Sequence, residues 1–502
     1  MSKDRTESGI ESDSGFESNR ASAKGIRSTT GPPGEALDAE KAQELWKLLF
    51  GDSPDEDDMR RWMTSTFTFA GKDTDVYKAL TCPWGLKQTL GGPCGVYAAV
   101  QAFVVRQLLW GSRSDLLPEK TLHRSPSAAS TASTAAGTDS ETDTPSSSGT
   151  MTPASGDEAE RPETAHEVEG ASSAPVVATA PARVEEACDL QTLVDRLQER
   201  FKAQDSRELL AGAMARMLQN ALPTDGALVW AEVTGKSQVR VRQFQVAEAL
   251  TAWLATGDAL QTMASPVLSL VCSLVLTRGV DTVKTDMDSA TSSLIGVYGH
   301  CAQELTNLCI TGQAVTNIFD GDVVFEDGDD VLRLRGIHKT PEVGFLSTHE
   351  PLRLAEVGQL LKQPRYPLWV VGSATHYTLL LAGDCRANHL AMPAPVSEED
   401  KERVKGAEPC CSACSCARGE FACPSSVRLL HLNGMAVCGN TPSLVAAELQ
   451  LDSDVTKYEP GPLPEGDQDG NIVAEVLRSR WPGAKVSYPT LGGVCGNPPR
   501  LC

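Results

Sequence analysis

Residues 81–101 read TCPWGLKQTLGGPCGVYAAVQ, a lone glutamine, a glycine pair, a proline and a cysteine set directly before an apolar run. After Cys94 the positions Val96, Val100, Phe103, Val104 and Leu108 fall close to i, i+4, i+7, i+8, which predicts a helix with one buried face. Pro93 suits a first helical turn, and Gly91-Gly92 let the backbone turn sharply into it. Cys94 is therefore expected in the first turn, where unpaired N–H groups and the helix dipole favour the thiolate, the form that attacks carbonyls. Gln88 lies upstream, where its amide N–H and the backbone N–H of Cys94 suit an oxyanion formed by that attack. A second reading stays open: a glycine-rich turn leading into a core helix, with an inert cysteine.

A thiol nucleophile needs a base. Of the histidines, His123 and His166 lie in a segment with no apolar period, whereas His376 opens the apolar stretch Tyr377-Thr-Leu-Leu-Leu381. It directly follows the run Leu368-Trp-Val-Val371 and a turn of small residues, so two strands in a hairpin are predicted with a histidine at their mouth. That is a suitable place for a general base, although a polar residue at a strand end is also common. An orienting third group is open, with Asp384 and Asn388 following on the same hairpin. Papain-like proteases use this order of parts, a glutamine shortly before a cysteine that opens a long helix and a histidine downstream.

Outward from these motifs, residues 1–36 are serine, glycine and charge with little to bury, and a disordered tail is expected. Within it DSGFES has the form of an acidic phospho-degron. DAEKAQELWKLLFG predicts a helix from an Asp38 cap to Gly51. Residues 113–186 are Ser, Thr, Ala, Pro and acid, a long flexible insertion. Helical spacing resumes at Leu190, Leu193, Leu197 and Phe201, continues at Leu209, Leu210, Met214 and Leu218, and is expected to dominate to about 310. VVFEDGDDVLRL then predicts a hairpin around Asp327-Gly328. Residues 385–425 form a second, charge- and cysteine-rich insertion, and 426–502 supply the last strand and helix. The expected fold is α+β: one domain assembled from 37–112, 187–384 and 426–502, with two long insertions.

The chain has 502 residues and a formal charge of −21, which argues against nucleic-acid and anionic-membrane partners, because both need a basic footprint. No N-terminal apolar segment reads as a secretory signal, and fifteen cysteines read as reduced thiols, so a cytoplasmic or nuclear monomer is expected. The cysteine cluster at 410–423 includes Cys411-x-x-Cys414, but it lacks two tidy pairs, and no metal is assigned to it. GDQDGNIVAE lacks a glutamate at the twelfth position of a calcium loop and reads as an Asp-Gly turn around Asp469-Gly470. No cofactor is expected.

GLKQTLGGPCGVYAAVQAF resembles the signature of the MINDY deubiquitinases, and especially of their larger branch. ELWKLLFG, DEDDMRRW, LCITGQAVTNIFDGD, VGFLS, YPLWVVGSATHYTLLL and RSRWPGAKVSY are similar to segments of that branch in the same order. The resemblance implies that Cys94 is the nucleophile, His376 the general base and acid, and Gln88 the oxyanion donor. It implies hydrolysis of isopeptide bonds at the ubiquitin C-terminus, with polyubiquitin chains that direct proteins to the proteasome as substrates. Tyr97 stands where the family more often has leucine, and the two insertions leave chain preference open. Trp84 or Trp369 would suit the walls of a channel for a glycine pair, although ordinary core or rim packing is the favoured reading of each. Two other readings remain: a ubiquitin-binding regulator with little turnover, and a hydrolase acting on a different ubiquitin-like tail.

Overall fold

Asp38 accepts from the amides of Glu40 and Lys41 at 3.0 and 3.3 Å, so α1 (Ala39–Phe50) starts at the cap read from sequence and ends at Gly51. The structure, a computed structural model, describes residues 34–71, 82–111, 189–256, 259–327, 330–383, 387, 426–435, 443–451 and 469–491. All of them belong to one compact unit. The phospho-degron motif, the insertion expected at 113–186, all but residue 387 of the one at 385–425, and the cysteine cluster at 410–423 lie outside the described residues. The expected tail of 1–36 is too long by at least two residues. Glu35 and Ala36 form β1 (Glu35–Ala36), which pairs with a strand two hundred residues away.

Two layers position the centre of the molecule. A six-stranded sheet runs β13-β12-β11-β10-β9-β8, made of β8 (Gly344–Ser347), β9 (Leu368–Gly372), β10 (Tyr377–Leu381), β11 (Ser426–Asn433), β12 (Ser443–Gln450) and β13 (Lys485–Ser487). Only β8 and β9 are parallel; every other neighbour is antiparallel. Both faces are covered, which is why LWVV and the three leucines of YTLLL read as unbroken apolar runs. Leu368, Val370, Leu379, Leu381, Leu430 and Leu432 face one core with α3 (Cys94–Trp110). Trp369, Val371, Leu380, Val427 and Leu429 face the other, with α12 (Asp469–Arg480). Asp469 and Gly470, read as a turn, instead begin that helix.

The helix of Cys94 is buried on every side rather than on one face. Tyr97, Ala98, Ala99, Ala102 and Val105 fill the directions the five periodic positions leave free, and the small side chains let neighbours approach. Those neighbours include α4 (Leu190–Lys202), α5 (Ser206–Ala221) and α10 (Gln303–Thr311), the first two at the positions their periodicity predicted.

The region expected to be helical to about 310 contains strands: β4 (Leu228–Gly235) and β5 (Gln238–Phe244) form a hairpin that β1 extends. β4 is the edge of that sheet, and α8 (Pro266–Arg278) covers it. Val229, Ala231 and Val233 donate their outward N–H groups to the hydroxyls of Thr277, Ser273 and Ser269 at 3.0, 2.8 and 3.0 Å. Hydroxyls four apart on one helix face thus satisfy every second amide of a buried edge strand. The hairpin read at VVFEDGDDVLRL is present as β6 (Val323–Asp327) and β7 (Asp330–Leu334).

Candidate active site

Two close approaches fix the loop before Cys94. Gly92 has φ +113°, and a Cβ there would stand 2.8 Å from the carbonyl oxygen of Gly299, so the chain passes only with glycine. A Cβ on Gly95 would stand 2.9 Å from Thr306 Oγ1 and 3.1 Å from Cys301 Sγ, so the first turn of α3 lies tight against α10 and against Cys301, two residues before that helix.

Gln88 follows the short strand β3 (Leu86–Lys87), which pairs with β2 (Thr68–Phe69) and is pinned to α3 by Gln101. Leu86 N donates to Gln101 Oε1 at 2.6 Å, and Gln101 Nε2 donates to the carbonyl of Trp84 at 3.2 Å. Gln88 itself donates from its backbone N to the carbonyl of Gly434 at 3.0 Å, and from Nε2 to that of Leu90 at 2.8 Å.

The thiol of Cys94 is 1% exposed and donates only to carbonyls, those of Gly92 at 3.7 Å and Thr375 at 4.0 Å. Burial pushes it up to about 11, while the amides of Tyr377 and Gly95 and the side chain of Gln88 pull it back part of the way. The lowered thiol expected from the helix N-terminus is therefore not found. Dehydration of the charged form outweighs the aligned N–H groups once the first turn is inside the core.

His376 is buried, and its Nε2 lies 2.8 Å from Asn433 Oδ1. Met435 N donates to the same oxygen at 2.9 Å, which identifies that atom as an acceptor. The proton accordingly sits on Nε2, and Nδ1, buried with no hydrogen-bond partner, carries the free lone pair. Burial lowers the pKa of His376, with the Asn433 bond opposing it, so the ring is neutral at neutral pH.

No hydrogen bond joins Cys94 to His376. The thiol meets the backbone on either side of the histidine, at Thr375 and Tyr377, rather than the ring. Strand alternation accounts for this: carried back from β10, His376 and Thr378 share the side of Leu380, opposite Leu379, which packs toward α3. Gln88, Cys94, Tyr97, Tyr377, Leu379 and Leu432 are among the residues lining a cleft of about 20 Å³, room for about one water.

The structure thus brings together Gln88, Cys94 and the backbone flanking His376, and gives the imidazole the partner that sequence reading left open. Asp384 and Asn388 are outside the described residues, and the group on the ring is Asn433, at the end of β11. A trace of it was present in LHLN: two polar residues two apart in an apolar strand, both buried. Gln101 was missed because a glutamine inside an apolar helix pattern looks like a solvent position. Trp84 and Trp369 are fully buried, and Trp369 donates to the carbonyl of Lys362 and stacks edge-on against Trp481, so core packing accounts for both.

Residues 46–140 and 204–390, more than half of the chain, match the family described as "Deubiquitinating enzyme MINDY-3/4, conserved domain". Gln88, Cys94 and His376 fall inside that match, and Asn433 falls beyond it. The chain is 30% identical over 365 residues to the "Probable ubiquitin carboxyl-terminal hydrolase MINDY-4" of Xenopus tropicalis, covering 69% of the chain and 37% of that protein. It is 28% identical over 364 residues to the human protein of the same name, with the same coverage of 69% and 37%. Against human "Ubiquitin carboxyl-terminal hydrolase MINDY-3" identity is 41% over 138 residues, 27% of the chain and 29% of the relative. The chain spans less than two-fifths of the length of these curated relatives. No solved structure matches it.

Proposed function

Because the chain belongs to the MINDY-3/4 family of deubiquitinating enzymes, we propose that it is a cysteine-type deubiquitinase. It would hydrolyse isopeptide bonds at the ubiquitin C-terminus, with proteasome-directing polyubiquitin chains as substrates. The observation that carries this chemistry is the state of His376: Nε2–H held by Asn433, Nδ1 free, one residue along the chain from the groups that touch the Cys94 thiol.

In the reaction, His376 Nδ1 takes the thiol proton and the Cys94 sulfur adds to the carbonyl of ubiquitin's last glycine. The side-chain amide of Gln88, already beside the sulfur, and the backbone N–H of Cys94 receive the oxyanion. The imidazolium then protonates the departing lysine amine, and the neutral ring activates water to release the thioester. The nucleophile on a buried helix N-terminus and the histidine on a hairpin follow the papain-like order of parts. Thiol and ring must close on each other for the first step, since the resting thiol faces two carbonyls. A cytoplasmic or nuclear setting, which keeps fifteen thiols reduced, suits such a nucleophile.

That resting state also favours one other reading, a ubiquitin-binding regulator with weak turnover, because a thiol held near 11 without an imidazole partner is a poor nucleophile. A ubiquitin carrying a thiol-reactive group at its C-terminus separates the two. An adduct on the wild-type chain, absent in Cys94→Ala and reduced in His376→Ala and Gln88→Ala, is the expected result. Binding of ubiquitin chains without any adduct would favour the regulator, and neither binding nor adduct would overturn both.

A further inference from the structure

Val297 and Tyr298 are each 75% exposed, at the tip of a one-turn 3-10 segment (Val297–Gly299). Tyr298 has φ 61° and ψ 22°, a left-handed conformation that a non-glycine residue adopts at a cost. It is the only aromatic among the three described non-glycine residues with positive φ; the others are Ser237 and Arg353. A buried ring could offset such strain by packing, but this ring is in solvent and gains nothing from the fold.

The turn is nevertheless held firmly. Gly296 N donates to the carbonyl of His300 at 2.8 Å and Gly299 N to that of Gly296 at 3.1 Å. From α2 (Glu56–Thr64), Arg61 donates to the carbonyl of Tyr298 at 2.7 Å and Trp62 Nε1 to that of Gly299 at 2.8 Å. Cys301 N donates to the carbonyl of Gly92 at 3.3 Å, which fastens the base of the turn to the loop that delivers Cys94. The same Arg61 lies 3.8 Å from where a Cβ on Gly91 would stand, so it spans the turn and the cysteine loop.

Resting on the deubiquitinase reading, we propose that Val297 and Tyr298 form the surface on which the ubiquitin moiety docks as its tail enters the cysteine site. Charge selects this occupant. The first turn of α2 beneath the tip carries Glu56, Asp57 and Asp58 after the Asp55 cap; Asp57 pairs with Arg60, and Asp58, packed against Gly299, pairs with Arg61, so the acids outnumber the cations there by the charges of Asp55 and Glu56. Ubiquitin's tail alternates leucine and arginine before its two glycines, offering apolar surface and positive charge together. A second copy of this chain, at −21, would meet repulsion instead.

Tyr298→Gly removes the ring while suiting the backbone, and Val297→Asp makes the tip polar and acidic. In the whole 502-residue chain both are expected to lower kcat/KM on polyubiquitin at least tenfold, mainly through KM. Ubiquitin affinity in a Cys94→Ala background should fall to match, while alkylation of Cys94 by iodoacetamide, read on its own peptide by mass spectrometry, stays at the wild-type rate. Wild-type affinity and turnover in both variants would overturn the docking surface and leave the enzyme reading intact. A parallel change in the alkylation rate would make the turn a structural support of the cysteine loop and overturn it as well. A wild-type chain that neither binds nor cleaves ubiquitin would overturn both readings together.

Discussion

Cys94 combines the attributes of a reactive and of an inert cysteine: it opens a helix, yet it is buried and its thiol is pushed up to about 11. In the free chain, alkylation of Cys94 is therefore predicted to climb about tenfold per pH unit from pH 7 to 9, without a plateau below about pH 10. A plateau near pH 7 would show a preformed thiolate instead. In the proposed mechanism Asn433 acts through His376, by fixing which nitrogen carries the proton. Asn433→Ala is predicted to lower kcat by roughly 10- to 100-fold at nearly constant KM, a part of what a positioned base contributes. Unchanged kcat in the folded variant would leave the asparagine a purely structural role. None of this was legible at residue level from the sequence. Gln88, Cys94 and His376 could be picked out by spacing and resemblance, but protonation depends on burial and on a partner 57 positions from the histidine.

Elements with a clean period were readable: α1 with its Asp38 cap, α4, α5, and the β6–β7 and β9–β10 hairpins. β4 and β5 were not, because their amides and alternating side chains find partners only when α8 lies across the edge with Ser269, Ser273 and Thr277. The link between β3 and α3 is of the same kind. Gln101→Leu would strand Leu86 N–H and the Trp84 carbonyl in the core, and about 2–6 kcal/mol of stability should be lost at roughly 1–3 per unpaired group. Urea unfolding measures it, and a loss below about 1 kcal/mol would mean that water replaces the amide. The strained turn at Tyr298 predicts the opposite sign. Tyr298→Gly should raise stability by about 0.5–1 kcal/mol, because glycine takes positive φ without the steric cost, and a lowered melting temperature would contradict it.

Across the whole molecule, acid is the condition to which the central sheet is most exposed. His431, fully enclosed beside Thr378 at 2.9 Å, has its pKa lowered by burial, and further by nearby His376, from 6.5 to about 4. A histidine lowered in the folded state binds its proton first in the unfolded chain. Its stability contribution is complete above about pH 6.5 and is lost as the pH falls toward 4, about 3 kcal/mol in all. His431→Gln, which keeps a partner for Thr378, should flatten the stability profile between pH 6.5 and 4; a profile as steep as wild type would place the sensitive group elsewhere. By itself the sequence determined the local chemistry and the elements with a clean period: glycine, proline and cysteine at a helix start, and a histidine at the mouth of an apolar hairpin. It did so because turn geometry, capping and hydrophobic period act over a few neighbouring residues. Only the tertiary structure decided that the helix is enclosed on all sides, that its thiol rests protonated against two carbonyls, and that Asn433, from beyond the second insertion, holds the ring. Desolvation and cross-strand hydrogen bonds depend on what packs from elsewhere in the chain, and no local pattern records that.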